Sequence, residues 1–214
     1  MKWIYDYFPI EYTDENRPKV NVPIVSWCEN LEQQAFQQAV NLANHPAVFG
    51  HVAIMPDGHV GYGMPIGGVA TFENVVVPNA VGKDIGCGMC FLLTNIPVSI
   101  LFDYKDKQNK LLGEIIRDTI HKNIPVGMAR HKEPQSWTGF DIAPSLPVIE
   151  ESMDLAALSL GTLGGGNHFI EFQRTPDDTI GIMIHSGSRK LGANIADYYN
   201  DAANKLNEIW LHDK

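Results

Sequence analysis

A globular fold that mixes α-helices with short β-strands is what the sequence predicts, on three observations. Hydrophobic residues make up 44% of the 214 and charged residues 19%, the balance of a chain that buries a core. Apolar residues recur at helical spacing in several stretches. Short apolar runs closed off by glycine and proline read as strands between them. No internal repeat or low-complexity tract is visible, and the length suits one large domain or two small ones.

The elements follow in order. The opening "MKWIYDYFPIEYTDENRP" carries acids early and has no uninterrupted apolar core, so it does not read as a signal peptide. "NLEQQAFQQAVNLANHP" reads as a helix, with Asn30 as its cap, Gln33 at the capping-box position and Pro46 after its end. Ala35, Phe36, Ala39, Val40, Leu42 and Ala43 form its apolar stripe. "HVAIM" (His51 to Met55) and "GGVATF" (Gly67 to Phe72) read as strands, and "PDGHVGYGMPIG" between them is too rich in Gly and Pro to be either element. "GMCFLLT" (Gly88 to Thr94) reads as a buried strand. Tyr104 to Asn123 is expected to be a helix despite Gly113, and Asn123 to Pro144 a long irregular segment of the functional or mobile kind. "VIEESMDLAALSLGT" reads as a helix running into "GTLGGGNH". "HFIEFQR" and "TIGIMIH" flank the turn "TPDD" as a hairpin. A helical pattern closes the chain from Lys190 to Trp210 and stops at "LHDK" without a glycine stop signal, so a missing C-terminal part is expected.

The formal net charge is −9, which argues against wrapping nucleic acid by bulk electrostatics, though a local basic patch stays open. No apolar run approaches the roughly 18 residues of a membrane span. Cys28, Cys87 and Cys90 are an odd count in no disulfide-like framework, and a reducing cytoplasm is the simplest setting.

Three polar clusters adjoin apolar strand-like runs and lie beside glycines: Asp84 with Cys87 in "DIGCG", Asn167, His168 and Glu171 in "GGGNHFIE", and His185 with Arg189 in "HSGSR". Rigid elements deliver such side chains into a cleft, and glycine lets backbone approach a phosphate. A thiolate, two imidazoles and a carboxylate make a metal set, for which ligand softness alone suggests zinc. The bland readings stand beside this one. Cys28 and Cys90 read as small buried hydrophobes, and Cys87 is open between core and ligand. His168 alone reads as structural, while His185, Asp57 and His59 are balanced between structure and function. His51, His121, His131 and His212 have no functional setting. "GTLGGGNH" lacks the Lys-Ser/Thr of a phosphate-binding loop, and "GYGMPIG" has the wrong glycine spacing for a dinucleotide fingerprint.

Together, "MPDGHVGYGMPIGGVA", "VGKDIGCGM", "LGGGNHFIE" and "IHSGSRKLG" resemble the RtcB-type RNA ligases, in the family's order, over about Met55 to Trp210. The resemblance implies an α+β, RtcB-like mixed-sheet fold with a deep central metal cleft, and makes residues 1–214 the N-terminal part of a single catalytic domain. It implies two manganese ions and GTP as cofactors. The reaction implied joins an RNA 3′-phosphate or 2′,3′-cyclic phosphate to a 5′-hydroxyl through a guanylylated histidine, in tRNA splicing and RNA repair. Residue by residue, Cys87 resembles the thiolate that bridges the two ions, Asp84 and His168 further ligands of one ion, and His185 a ligand of the other. Asn167, His168, Phe169, Ile170 and Glu171 match the guanylate-binding segment. Arg189 resembles a residue that steadies a phosphate, and Asp57 an acid near the site. The family's C-terminal half supplies another histidine ligand, more of the guanine pocket and the nucleophilic histidine, for which no counterpart is found here, so this chain alone is expected to be inactive. Two rival readings are a metal-dependent RNA phosphoesterase on the same scaffold and a noncatalytic module binding nucleotide or RNA.

Overall fold

The computed structural model describes Ile4, Tyr7 and residues 16–212, the side chains of 209–212 excepted. The reading of the first residues as no signal peptide, the side chain of His212 and the end of "LHDK" therefore lie outside the described residues. The chain divides into two compact units, Met1–Lys83 with Tyr199–Lys214, and Asp84–Tyr198.

In the first unit, strands β1 (Ile24–Ser26), β2 (Val48–His59) and β3 (Ile66–Phe72) form a sheet in that order, β1 parallel and β3 antiparallel to β2. Helix α1 (Gln33–Ala43) lays its predicted stripe against the sheet, and all six stripe residues are buried. Phe36, Ile24, Val52 and Ile54 are fully buried at the centre of this core, with Cys28 at its edge, as expected for a small buried hydrophobe. The predicted cap is corrected: Glu32 precedes the helix, Gln33 is its first residue, and no side chain caps its N-terminus. Closure comes at the other end, where Asn44 accepts from Asn21 N (3.1 Å) and donates to Lys19 O (2.9 Å). Strand β2 also runs further than "HVAIM", through Pro56 to His59. It manages this with a bulge, since residues 55–58 stand opposite Gly67 alone between the pairs Ile54–Gly68 and His59–Ile66. Helix α2 (Pro78–Val81) is a single turn.

The second unit is built on β4 (Gly88–Pro97), β5 (Phe169–Arg174) and β6 (Thr179–Ser186). They form an antiparallel sheet of order β4-β6-β5, and β5 and β6 make the predicted hairpin. Strand β4 is exposed along most of its length, correcting the buried strand read from "GMCFLLT", and Cys90 is exposed rather than in the core. Apolar composition indicates a buried strand only where a second layer covers it, and β4 is the sheet's outer strand.

Short helix α3 (Ile100–Asp103) precedes α4 (Leu112–Asn123), so the helix expected from Tyr104 starts later. The intervening residues turn back on themselves through a Lys105–Leu111 bridge. The helix expected over "VIEESMDLAALSLGT" breaks into α5 (Pro147–Glu150) and α6 (Met153–Ser159). Ser152 sits at the break, donating from its hydroxyl back to Val148 O at 2.8 Å. Helix α7 (Leu191–His212) matches the final helical pattern.

Candidate functional site

Strands β4 and β5 both run antiparallel to β6, so the starts of β4 and β5 and the end of β6 lie together. Each predicted cluster sits at one of these points. Asp84 and Cys87 precede β4, Asn167 and His168 precede β5, and His185 lies one residue before the end of β6. The register sets Met89 and Phe169 on either side of His185.

Asp84 is the anchor. One carboxylate oxygen accepts from Ser188 N (3.0 Å) and from the Ser188 hydroxyl. The other lies 3.0 Å from His168 Nε2. The His168 and His185 rings meet edge-to-face with centroids 5.0 Å apart, and Phe169 packs on His185 at 5.8 Å. Two glycines admit the His168 ring so closely. A Cβ at Gly187 would lie 2.4 Å from His168 Cε1, and one at Gly164 would lie 2.5 Å from His168 Nδ1. That explains glycine on both sides of the ring, and Gly164 is in addition held at a φ of 106°. His168 Nδ1 is buried and has no hydrogen-bond partner. An orphaned imidazole nitrogen costs about 1–3 kcal/mol.

Arg189 does not simply project into the cluster. Its Nε donates to Thr162 Oγ1 (2.7 Å), one terminal nitrogen to Gly127 O (2.6 Å) and the other to Ala129 O (2.7 Å). It therefore braces two loops from the start of α7. Arg189 and Lys190 both adopt left-handed backbone, with φ of 50° and 77°. Such strain costs of order 1–3 kcal/mol per residue and needs contacts of this kind to hold it. Burial, with the nearby Arg130 charge second, lowers the Arg189 guanidinium from its ordinary pKa, and Asp84 opposes the shift.

Cys87 lies on an exposed turn whose amide donates to Asp84 O at 3.1 Å. Asn167 is exposed at the end of the glycine run. The sheet divides the rest of its segment: Phe169 packs against His185, whereas Ile170 lines a cavity of about 220 Å³ with residues of α3 and α4. Glu171 is exposed and registers with Met183. Asp57 belongs to the first unit, where it lines a pocket of about 530 Å³ with Trp27, Cys28, Glu29 and Asn30. His59 Nδ1 contacts Asp57 O there at 2.6 Å.

Among the described residues, no group of three or more His, Cys, Asp and Glu side chains is assembled to hold an ion. What is assembled is a pair. Two ligands each about 2.0–2.2 Å from one ion lie roughly 3.0–3.5 Å apart, and Asp84 and His168 face each other at 3.0 Å. With His185 against His168 and Cys87 on the adjoining turn, the donor chemistry suits a divalent transition metal. Ser188 is the residue that sequence reasoning missed. It stood inside "HSGSR", but nothing in that string says that its hydroxyl would reach Asp84, 104 residues away.

The model of the tRNA-splicing ligase RtcB family matches residues 38–142 and 140–214. The RNA-splicing ligase RtcB of Escherichia coli K12 is 35% identical, covering 86% of this chain and 48% of its own. The tRNA-splicing ligase RtcB of Methanococcus maripaludis is 32% identical over 96% of this chain and 52% of its own. That of Thermococcus kodakarensis is 31% identical over 84% and 46%. The chain thus spans about half the length of the curated relatives it matches.

Proposed function

The chain belongs to the tRNA-splicing ligase RtcB family, and from that premise we propose that it is the metal-binding portion of an RNA ligase that seals 3′-phosphate or 2′,3′-cyclic phosphate ends to 5′-hydroxyl ends. One observation carries this reading: three separated motifs deliver Asp84, His168 and His185 to one end of one sheet, with Cys87 on the turn beside them.

In this reading Cys87, Asp84, His168 and His185 hold manganese. Bound divalent ions would neutralise phosphate charge and organise in-line displacement. The residues of the chain do the rest. Ser188 fixes the Asp84 carboxylate opposite His168, and Phe169 steadies the His185 ring. An exposed thiol is accessible to a metal once deprotonated, so Cys87 would be available as a ligand. Asn167, His168, Phe169, Ile170 and Glu171 make up the guanylate-binding segment, with GTP as the nucleotide. Arg189 acts chiefly by bracing the loops at residues 127–129 and 162, and places positive charge near Asp84 for a phosphate. Asp57 contributes an acid whose role belongs to the assembled domain. In this reading the guanylylated histidine and the ligation step draw on the whole family domain, and the chain spans about half the relatives' length. Among the described residues no helix is long and apolar enough to cross a membrane.

The test is manganese binding to the 214-residue chain, read by calorimetry and by electron paramagnetic resonance. Cys87→Ala and His168→Ala should each weaken binding at least tenfold while the far-ultraviolet circular dichroism stays that of the parent. Unchanged affinity in both variants would remove the metal assignment.

A further inference from the structure

The long segment after α4 was expected to be functional or mobile, and it is strapped down. Gly127 N donates to Gly164 O (2.7 Å), His131 N to Leu158 O (3.0 Å) and Gln135 N to Ala157 O (2.9 Å). Arg189 ties two more of its carbonyls, at Gly127 and Ala129. At the end of this strap stands Trp137, just before a 3-10 turn, Thr138–Ile142. Phe140 N donates to Trp137 O (3.1 Å), and the two rings meet edge-to-face at 5.5 Å. The indole lies against Gly139 so tightly that a Cβ there would come within 2.3 Å of it. Its position is thus fixed, yet Trp137 is 57% exposed. A large aromatic ring held in place and left in water is preorganised for a partner, because little side-chain entropy remains to be lost.

Below the ring is a cavity of about 280 Å³, whose lining includes Trp137, Phe140, Gly86, Gly187, Ser188 and Arg189. Pockets for small molecules start at about 300 Å³, so this one suits a single flat group. Gly86, Gly187 and Ser188, which are neighbours of the candidate metal ligands, form part of its lining. Gly86 lies between Asp84 and Cys87, Gly187 lies against His168, and Ser188 holds Asp84. Arg189 brings positive charge to the lining, and Arg130, outside it, is close enough to Arg189 to perturb it. Aromatic faces beside guanidinium groups are the combination that binds single-stranded nucleic acid.

We propose that Trp137 and Phe140 form a nucleobase subsite next to the Asp84–His168 pair, stacking the terminal base of an RNA strand whose phosphate reaches the metal site. This rests on the ligase reading. A free guanine nucleotide presents the same chemistry, and the test separates the two sources.

The probe is a fluorescein-labelled single-stranded hexaribonucleotide with a 3′-phosphate, bound to the 214-residue chain with manganese and followed by anisotropy. A second probe carries an abasic 3′-terminal residue. The parent should prefer the first probe. Trp137→Ala should lower affinity for it about five- to a hundredfold, the range of one stacked base, and leave the abasic probe unchanged. Trp137→Phe should retain most of the preference. Gly139→Ala should reproduce Trp137→Ala, because its methyl group displaces the indole. A parent chain that binds neither probe, or binds both equally, overturns the subsite. So does Trp137→Ala losing both probes alike, which marks a structural role. Displacement of the ring's ligand by GMP, with no preference between the RNA probes, assigns the pocket to free nucleotide and overturns the RNA occupant. Manganese affinity measured in parallel separates this proposal from its premise. Trp137 variants that change nothing while His168→Ala loses metal sink the subsite alone. Trp137-dependent base preference in a chain that binds no manganese sinks the metal reading and keeps the subsite.

Discussion

Ser188 shows how much one small side chain decides. Its amide and hydroxyl both bind one oxygen of Asp84, leaving the other free to face His168. Partners behind a metal ligand typically affect affinity by about 10- to 100-fold. Ser188→Ala keeps the amide contact and loses the hydroxyl, so manganese affinity should fall about tenfold in calorimetry. An unchanged affinity would show that the amide alone holds Asp84. Arg189 makes a different prediction. Its planar fork reaches three acceptors, and lysine cannot, having a single nitrogen. Arg189→Lys should therefore cost roughly 1–3 kcal/mol and raise hydrogen exchange across residues 127–131. Exchange confined to other loops would deny Arg189 its bracing role.

At the level of elements, α1 owes its place to one face. Phe36 is wholly buried between α1 and the sheet β1-β2-β3. Removing a buried phenyl ring costs about 3–5 kcal/mol, so Phe36→Ala should shift the urea midpoint of the first unit strongly. A shift below 1 kcal/mol, on the scale of ordinary surface substitutions, would mean that the core closes over the loss. Helix α4 carries a charged cluster on its exposed face. The Lys110 ammonium, and after it the Arg117 guanidinium, hold the exposed Asp118 carboxyl below its ordinary pKa. A depressed folded pKa means that this stabilisation is present above the ordinary carboxylate range and lost as pH falls through the lowered value. Asp118 should stay ionised in carboxyl NMR titration after ordinary aspartates have protonated, and Lys110→Ala should move its midpoint back up. An unmoved midpoint would assign the shift elsewhere.

Across the molecule, strand β4 presents an apolar surface. Met89, Phe91, Leu92 and Leu93 are exposed along it, Leu93 at 67%. An outer strand with apolar side chains and free backbone groups is a template for further pairing. The isolated chain is expected to self-associate with rising concentration in sedimentation velocity. Leu93→Lys should suppress this without altering the secondary structure, and association that ignores the charge would place the contact on another face.

How much of this was legible beforehand differs by kind of information. Local order was read well where a single face decides the element. The stripe of α1 and the β5–β6 hairpin carry their period and turn residues in the string itself. Boundaries failed where long-range partners override local signals, as in the bulge that carries β2 through Pro56 and Gly58. Burial failed at β4 and Cys90, because an apolar strand does not state whether another layer covers it. The site divides the same way. The sequence alone determined the family, since residue types and motif order are properties of the string, and it singled out the side chains proposed to carry the chemistry. Only the tertiary structure decided that Asp84, His168 and His185 meet, that Ser188 rather than solvent holds Asp84, and that Arg189 spends its donors on the loops. Those meetings depend on antiparallel pairing across more than eighty residues of chain, and pairing is settled by register and packing rather than by any local pattern.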